Sequence, residues 1–179
     1  MLQSVFLWFY CLPIRQAVLL LIMISAVYLV LRPRLARKRF WYPALIVVFL
    51  FWLGVIAFAT IMDRTPSGEF VAPQLLPLHS YRTVLAGANT ELLRSNFMNV
   101  ALFYPAGLLA CELLPKKWSR AKRIILVTAL FVLLSSGIEA CQYYFALGQV
   151  EADDVLHNGL GALIGAAVCT IQIGYVPRH

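Results

Sequence analysis

Six polar side chains lie inside apolar sequence at spacings that bring them together. Glu139 and Gln142 are three apart and share one helical face; Asp154, His157 and Asn158 share another by the same rule. Asn99 opens the run Asn99-Val-Ala-Leu-Phe103-Tyr-Pro105-Ala-Gly107. In lipid, a carboxyl, amide or imidazole needs a partner, a proton or a watery cleft. Glu139, Asp154 and His157 could act as acid, base and proton carrier, or as three ligands for a divalent metal. With Gln142 and Asn158 they could instead shape a polar cleft that binds a headgroup, or simply hold helices together. Binding is the favoured chemistry, because no G-x-S-x-G, H-E-x-x-H or histidine-rich phosphatase signature occurs. No cofactor or metal is expected.

The elements carrying these residues are membrane helices. Hydrophobic residues make up 61% of 179 and charged residues 13%, with a mean hydropathy of +0.80. A soluble domain has roughly 25% charged residues. The net charge of +7 does not mark a nucleic-acid binder. It comes largely from two clusters, Arg32 to Arg39 and Lys116 to Arg123, each in a short gap between apolar runs. Such gaps face the cytoplasm.

About 20 helical residues cross the hydrocarbon. Five runs qualify: 10–31, Trp41 to Met62, Asn96 to Leu114, Ile124 to Leu147 and Val155 to Gly174. The expected fold is an all-α, polytopic membrane bundle of about five spans, N-terminus outside and C-terminus, with Arg178, inside the cytoplasmic membrane. Residues 1–40 form an extra N-terminal span and basic loop. Residues 41–174 form a four-helix domain with a long outer loop, 63–95. That loop carries Leu75-Leu76-Pro77-Leu78-His79, either an apolar surface hook or a solvated stretch. The basic residues follow the first apolar run rather than precede it, so a cleaved signal peptide is not expected.

Glu139 lies ~23 Å from the inner end of its helix at 1.5 Å per residue. Asn99, Asp154, His157 and Asn158 also fall near the outer end, and Arg64 closes the second run on that side. Arg64, and Arg82 further along, could face a phosphate or other headgroup. Pro105 and Gly107 should kink and thin the third span, and Gly161-x-x-x-Gly165 should seat the fifth against a neighbour. Glu112 is expected to snorkel outside the cluster. Cys11, Cys111, Cys141 and Cys169 are far apart and are expected to be small buried hydrophobes.

These motifs resemble those of VanZ-like membrane proteins. The resemblance rests on Asn99-x-x-x-Phe103-x-Pro105-x-Gly107, on Ile138-Glu139-x-x-Gln142, and on Asp154-x-x-His157-Asn158-Gly-x-Gly161-x-x-x-Gly165. Asp63-Arg64-Thr-Pro and the Leu-Leu-Pro-Leu hook resemble the family's first outer loop, so the likeness spans roughly residues 45–170. Two positions depart: Gln149 follows Gly148 where the family usually has arginine, and His157 stands where leucine is usual. The named member of the family is associated with resistance to the glycopeptide teicoplanin. The resemblance implies action at the outer face on membrane lipids, lipid-linked wall precursors or envelope proteins, without implying a reaction. A membrane enzyme and a small transporter are the alternatives.

Overall fold

An apolar run broken by Asn96, Asn99, Pro105 and Glu112 is poorly suited to facing lipid, and the fold shelters it. The structure, a computed structural model, describes residues 14–66, 71–87 and 91–173. Val5 to Tyr10, Cys11, Pro13, Gly174 and Arg178 lie outside these ranges. The elements are α1 (Ile14–Leu35), α2 (Trp41–Ala57), a π-helical turn (Phe58–Met62), α3 (His79–Leu85), α4 (Glu91–Leu113), α5 (Arg120–Tyr144) and α6 (Ala152–Ile173). More than half of the 23 residues of α4 are buried. It packs most extensively on α6, and also on α1, α2 and α5.

The chain is an all-α membrane bundle. Four helices, α1, α2 with its π turn, α5 and α6, are long and apolar enough to cross a bilayer. At ~1.5 Å per residue α4 is also long enough, but its polar residues make it less apolar than those four. The outward faces of the others carry large apolar side chains, among them Leu19, Phe51, Ile125 and Leu133. In water such faces would be unfavourable; against acyl chains they are the ordinary surface.

Small residues decide how closely α4 and α6 approach. A Cβ at Gly107 would collide with the backbone of Ala162, one at Gly161 with that of Val100, and one at Gly165 with Tyr104 and Leu108. Ala162, Ala166 and Cys169 are wholly buried along the seam. Such contact supplies helix attraction in lipid, where no hydrophobic force operates between helices. Beyond the seam, Phe103 meets Phe131 edge to face at 6.0 Å. Pro105 has no N–H for the helix ladder, and one turn earlier Trp52 Nε1 donates to the Leu102 carbonyl at 2.9 Å.

Glu112 does not snorkel. It is fully buried, its Oε2 lying 2.9 Å from Arg32 Nε and accepting from Tyr28 Oη at 2.9 Å. The reason is α1, whose last turn delivers Arg32 into the bundle and so supplies the counter-charge that lipid cannot. Buried Arg123 lies in the same region and donates to the Cys111 carbonyl. Cys111 and Cys169 are buried as expected, but Cys141 is exposed, because it sits on the outward face of α5.

The second run is not one uniform helix: its last turn widens into the π turn. The long loop is anchored. Gln74 N donates to the Val150 carbonyl at 2.8 Å and its own carbonyl accepts from Ala152 N at 2.9 Å. This pins the hook to the α5–α6 turn. The segment then enters α3 through Leu78, held at φ 62°, a left-handed conformation that is unusual for leucine.

Candidate functional site

The polar residues gather at the end of the bundle opposite the two basic loops. Glu139 is buried near the C-terminus of α5, where its Oε2 accepts the Glu151 backbone N–H at 3.0 Å. Asp154, in the first turn of α6, accepts from Asn99 Nδ2 of α4 at 2.7 Å. Half-buried Arg64 follows the π turn, and its positive charge acts favourably on Glu151. Gly148 makes room for it. With φ at 151°, this residue favours glycine on conformational grounds, and a Cβ there would lie 3.0 Å from Arg64 Nη1.

Glu151 lies in the turn before α6, outside the membrane-spanning helices. Burial holds its carboxyl above the usual carboxylate range, and the negative charges of Asp154 and Asp153 push it the same way; His79 and Arg64 oppose them.

The remaining sequence-derived residues have separate partners. Gln142 Nε2 donates to the Thr60 carbonyl at 2.8 Å, tying α5 to the π turn. Asn158 Nδ2 donates to Ser135 Oγ at 2.8 Å between α6 and α5. The buried Gln142 Oε1 and Asn158 Oδ1 have no hydrogen-bond partner among the described residues. His157 is held at both nitrogens: Nδ1 donates to the Asp153 carbonyl at 2.5 Å, and Nε2 accepts from Tyr81 Oη at 2.7 Å. A carbonyl can only accept, so the proton sits on Nδ1 in the neutral ring. Arg82 is exposed on α3. The three-ligand metal arrangement considered for Glu139, Asp154 and His157 is not formed. No group of three such ligands comes together among the described residues, because His157 is turned toward α3 instead.

Asp153 is the residue that sequence reasoning passed over. Its carboxylate accepts the Leu78 N–H at 2.5 Å, the Ser80 N–H at 2.8 Å and the Ser80 hydroxyl. One side chain of α6 thus fixes the start of α3. The signal available was the i, i+4 pair Asp153 and His157, which sets both on the face that docks α3.

Beside the carboxyls runs a groove of about 550 Å³. The hook supplies Pro73, Leu75 and Pro77 on one side, while Ala140 and Tyr143 of α5 and Val155 and Leu156 of α6 form the other. The walls are almost wholly apolar, and among the described residues Glu139 and Glu151 provide its only charged groups.

No curated protein and no solved structure matches this chain. A family model described as VanZ/LLP1 matches residues 40–173, a stretch that takes in the anchored loop, the α4–α6 seam and every residue of the polar cluster, and starts just after α1. This membrane protein belongs to the VanZ/LLP1 family.

Proposed function

We propose that the groove beside Glu139 engages an amphiphile of the cell envelope, a membrane lipid or lipid-linked wall precursor, at the outer leaflet. One observation carries this reading: a groove with apolar walls meets the buried carboxyl of Glu139 and the half-buried Glu151 at the end of a membrane bundle. Acyl or prenyl chains suit the walls and a polar headgroup suits the carboxyl end. The two basic loops lie at the opposite end, which favours placing the groove on the extracytoplasmic side of the inner membrane. The family's link to glycopeptide resistance points to the same envelope chemistry.

Binding is favoured over catalysis. Both nitrogens of His157 are committed to structural hydrogen bonds, which counts against the imidazole as the proton carrier of the enzyme alternative. A transporter would place its polar groups near the midplane, whereas these sit at one end. The test is mass spectrometry of lipids co-purifying with the wild type and with Ala140→Trp, whose indole would fill the groove from an exposed position. A lipid class present in the first and depleted in the second is expected. The same lipid profile in both would overturn the proposal.

A further inference from the structure

Resting on that reading, the charge of the groove names the class of headgroup. Among the described residues its lining contains two carboxyl side chains, Glu139 and Glu151, two hydroxyls, Ser136 and Tyr143, and no cation. Glu139 is only 5% exposed. Its Oε2 is occupied by the Glu151 N–H, but its Oε1 has no hydrogen-bond partner among the described residues. Arg64 lies beside Gly148 and is not among the described residues of the lining. A carboxylate set among apolar walls is costly unless it is paired, and the described lining supplies no cation to pair with Glu139 or Glu151.

We infer that the groove selects an amphiphile bearing a primary ammonium, whose N–H donors meet Glu139 and Glu151 while its chains lie along Leu75, Val155 and Leu156. An ammonium presents three donors and no acceptor, the complement of two acceptor-only carboxylates with no cation beside them in the described lining. A quaternary ammonium has the charge but no N–H, and an anionic headgroup would be repelled. The occupant is a diacyl aminophospholipid, whose headgroup is net neutral; a polyprenyl-linked precursor with a free amine would bring its diphosphate against Glu139 and Glu151.

The experiment is titration of the purified full chain, in detergent, by native mass spectrometry with chain-matched lipids. The probes are phosphatidylethanolamine, phosphatidylcholine, phosphatidylglycerol and an amine-bearing polyprenyl diphosphate. Phosphatidylethanolamine should bind about tenfold or more tighter than phosphatidylcholine, the scale of one charge-assisted hydrogen bond. Tighter binding of the amine-bearing polyprenyl diphosphate would overturn this choice of occupant. Glu139→Gln and Glu151→Gln should each bring phosphatidylethanolamine close to phosphatidylcholine while leaving the latter's binding intact, which shows that the groove is still folded. Equal affinity of the wild type for ethanolamine and choline lipids, or tightest binding of phosphatidylglycerol, would overturn the ammonium inference. The groove reading fails separately, if Ala140→Trp leaves the binding of every probe unchanged.

Discussion

Arg32 Nε and Glu112 Oε2 lie 2.9 Å apart, both buried, and join the helix outside the family match to the central helix of the domain inside it. Removing one partner leaves the other charge buried without compensation, a loss of about 3–5 kcal/mol in comparable sites. Glu112→Gln should therefore lower the melting temperature in detergent strongly. Arg32→Met combined with Glu112→Leu should recover most of the loss, since an apolar pair of similar volume avoids both desolvation costs. A double-mutant cycle reads the coupling; additive effects would mean that the pair does not hold α1 in place.

Gly165 and Gly137 should respond in opposite directions. Leucine at 165 must intrude on the Tyr104 and Leu108 backbone, and overpacking a tight site costs about 1–3 kcal/mol even where side chains can yield. Gly165→Leu should reduce yield and thermal stability. Gly137 meets nothing within 4 Å of an added Cβ, so Gly137→Ala should stabilise α5 by up to about 1 kcal/mol. Thermal melts of the two variants side by side check the sign of each.

The contrast shows what a single sequence reveals. The spans were legible because apolar runs of about 20 residues have few other destinies, and the α4–α6 seam was legible in Gly161 and Gly165. Glu112 was misread because its partner lies 80 residues away in sequence, and nothing local announces a buried arginine. The helical faces holding Glu139 and Gln142, and Asp154 and Asn158, follow from spacing. Their partners do not: Thr60 offers a main-chain carbonyl beside a π turn, and Ser135 is an unremarkable helix serine. Asp153 was hidden for the same reason, since capping a helix that begins 74 positions earlier, at His79, is a tertiary relationship.

Glu151 should make stability depend on pH. Its carboxyl is raised in the folded protein, chiefly by burial, so folding favours the protonated form. That contribution is fully present below the ordinary glutamate value of about 4.3 and is lost as pH rises through the folded-state value. Glu151→Gln removes the dependence. Melting curves from acid to neutral pH should show the variant gaining on the wild type as pH rises; parallel curves would refute the account.

The placement of the two ends is open to direct measurement. Thr65 lies on the groove side and Ser119 in the basic loop at the other end, both exposed. In a background lacking native thiols, a membrane-impermeant maleimide added to intact cells should label Thr65→Cys and spare Ser119→Cys until the cells are opened. The reverse pattern would put the basic loops outside and, with them, reject an outer-leaflet groove.

Charge at the polar cluster should matter for function more than for folding. Asp154→Asn keeps an acceptor for Asn99 Nδ2, whose bond now spans 2.7 Å, and Glu139→Gln keeps an acceptor for the Glu151 N–H. Each substitution removes one carboxyl without opening a cavity, so the helices should still pack and melting should shift little. If the carboxyls meet a headgroup, both variants should lose whatever teicoplanin tolerance the wild type confers on a sensitive host, at equal membrane abundance. Asn99→Ala provides the contrast. It strips the only hydrogen bond that a described residue gives to the Asp154 carboxyl, so it should weaken both tolerance and stability. Full tolerance in Glu139→Gln and Asp154→Asn would reduce the cluster to a device for holding α4, α5 and α6 together.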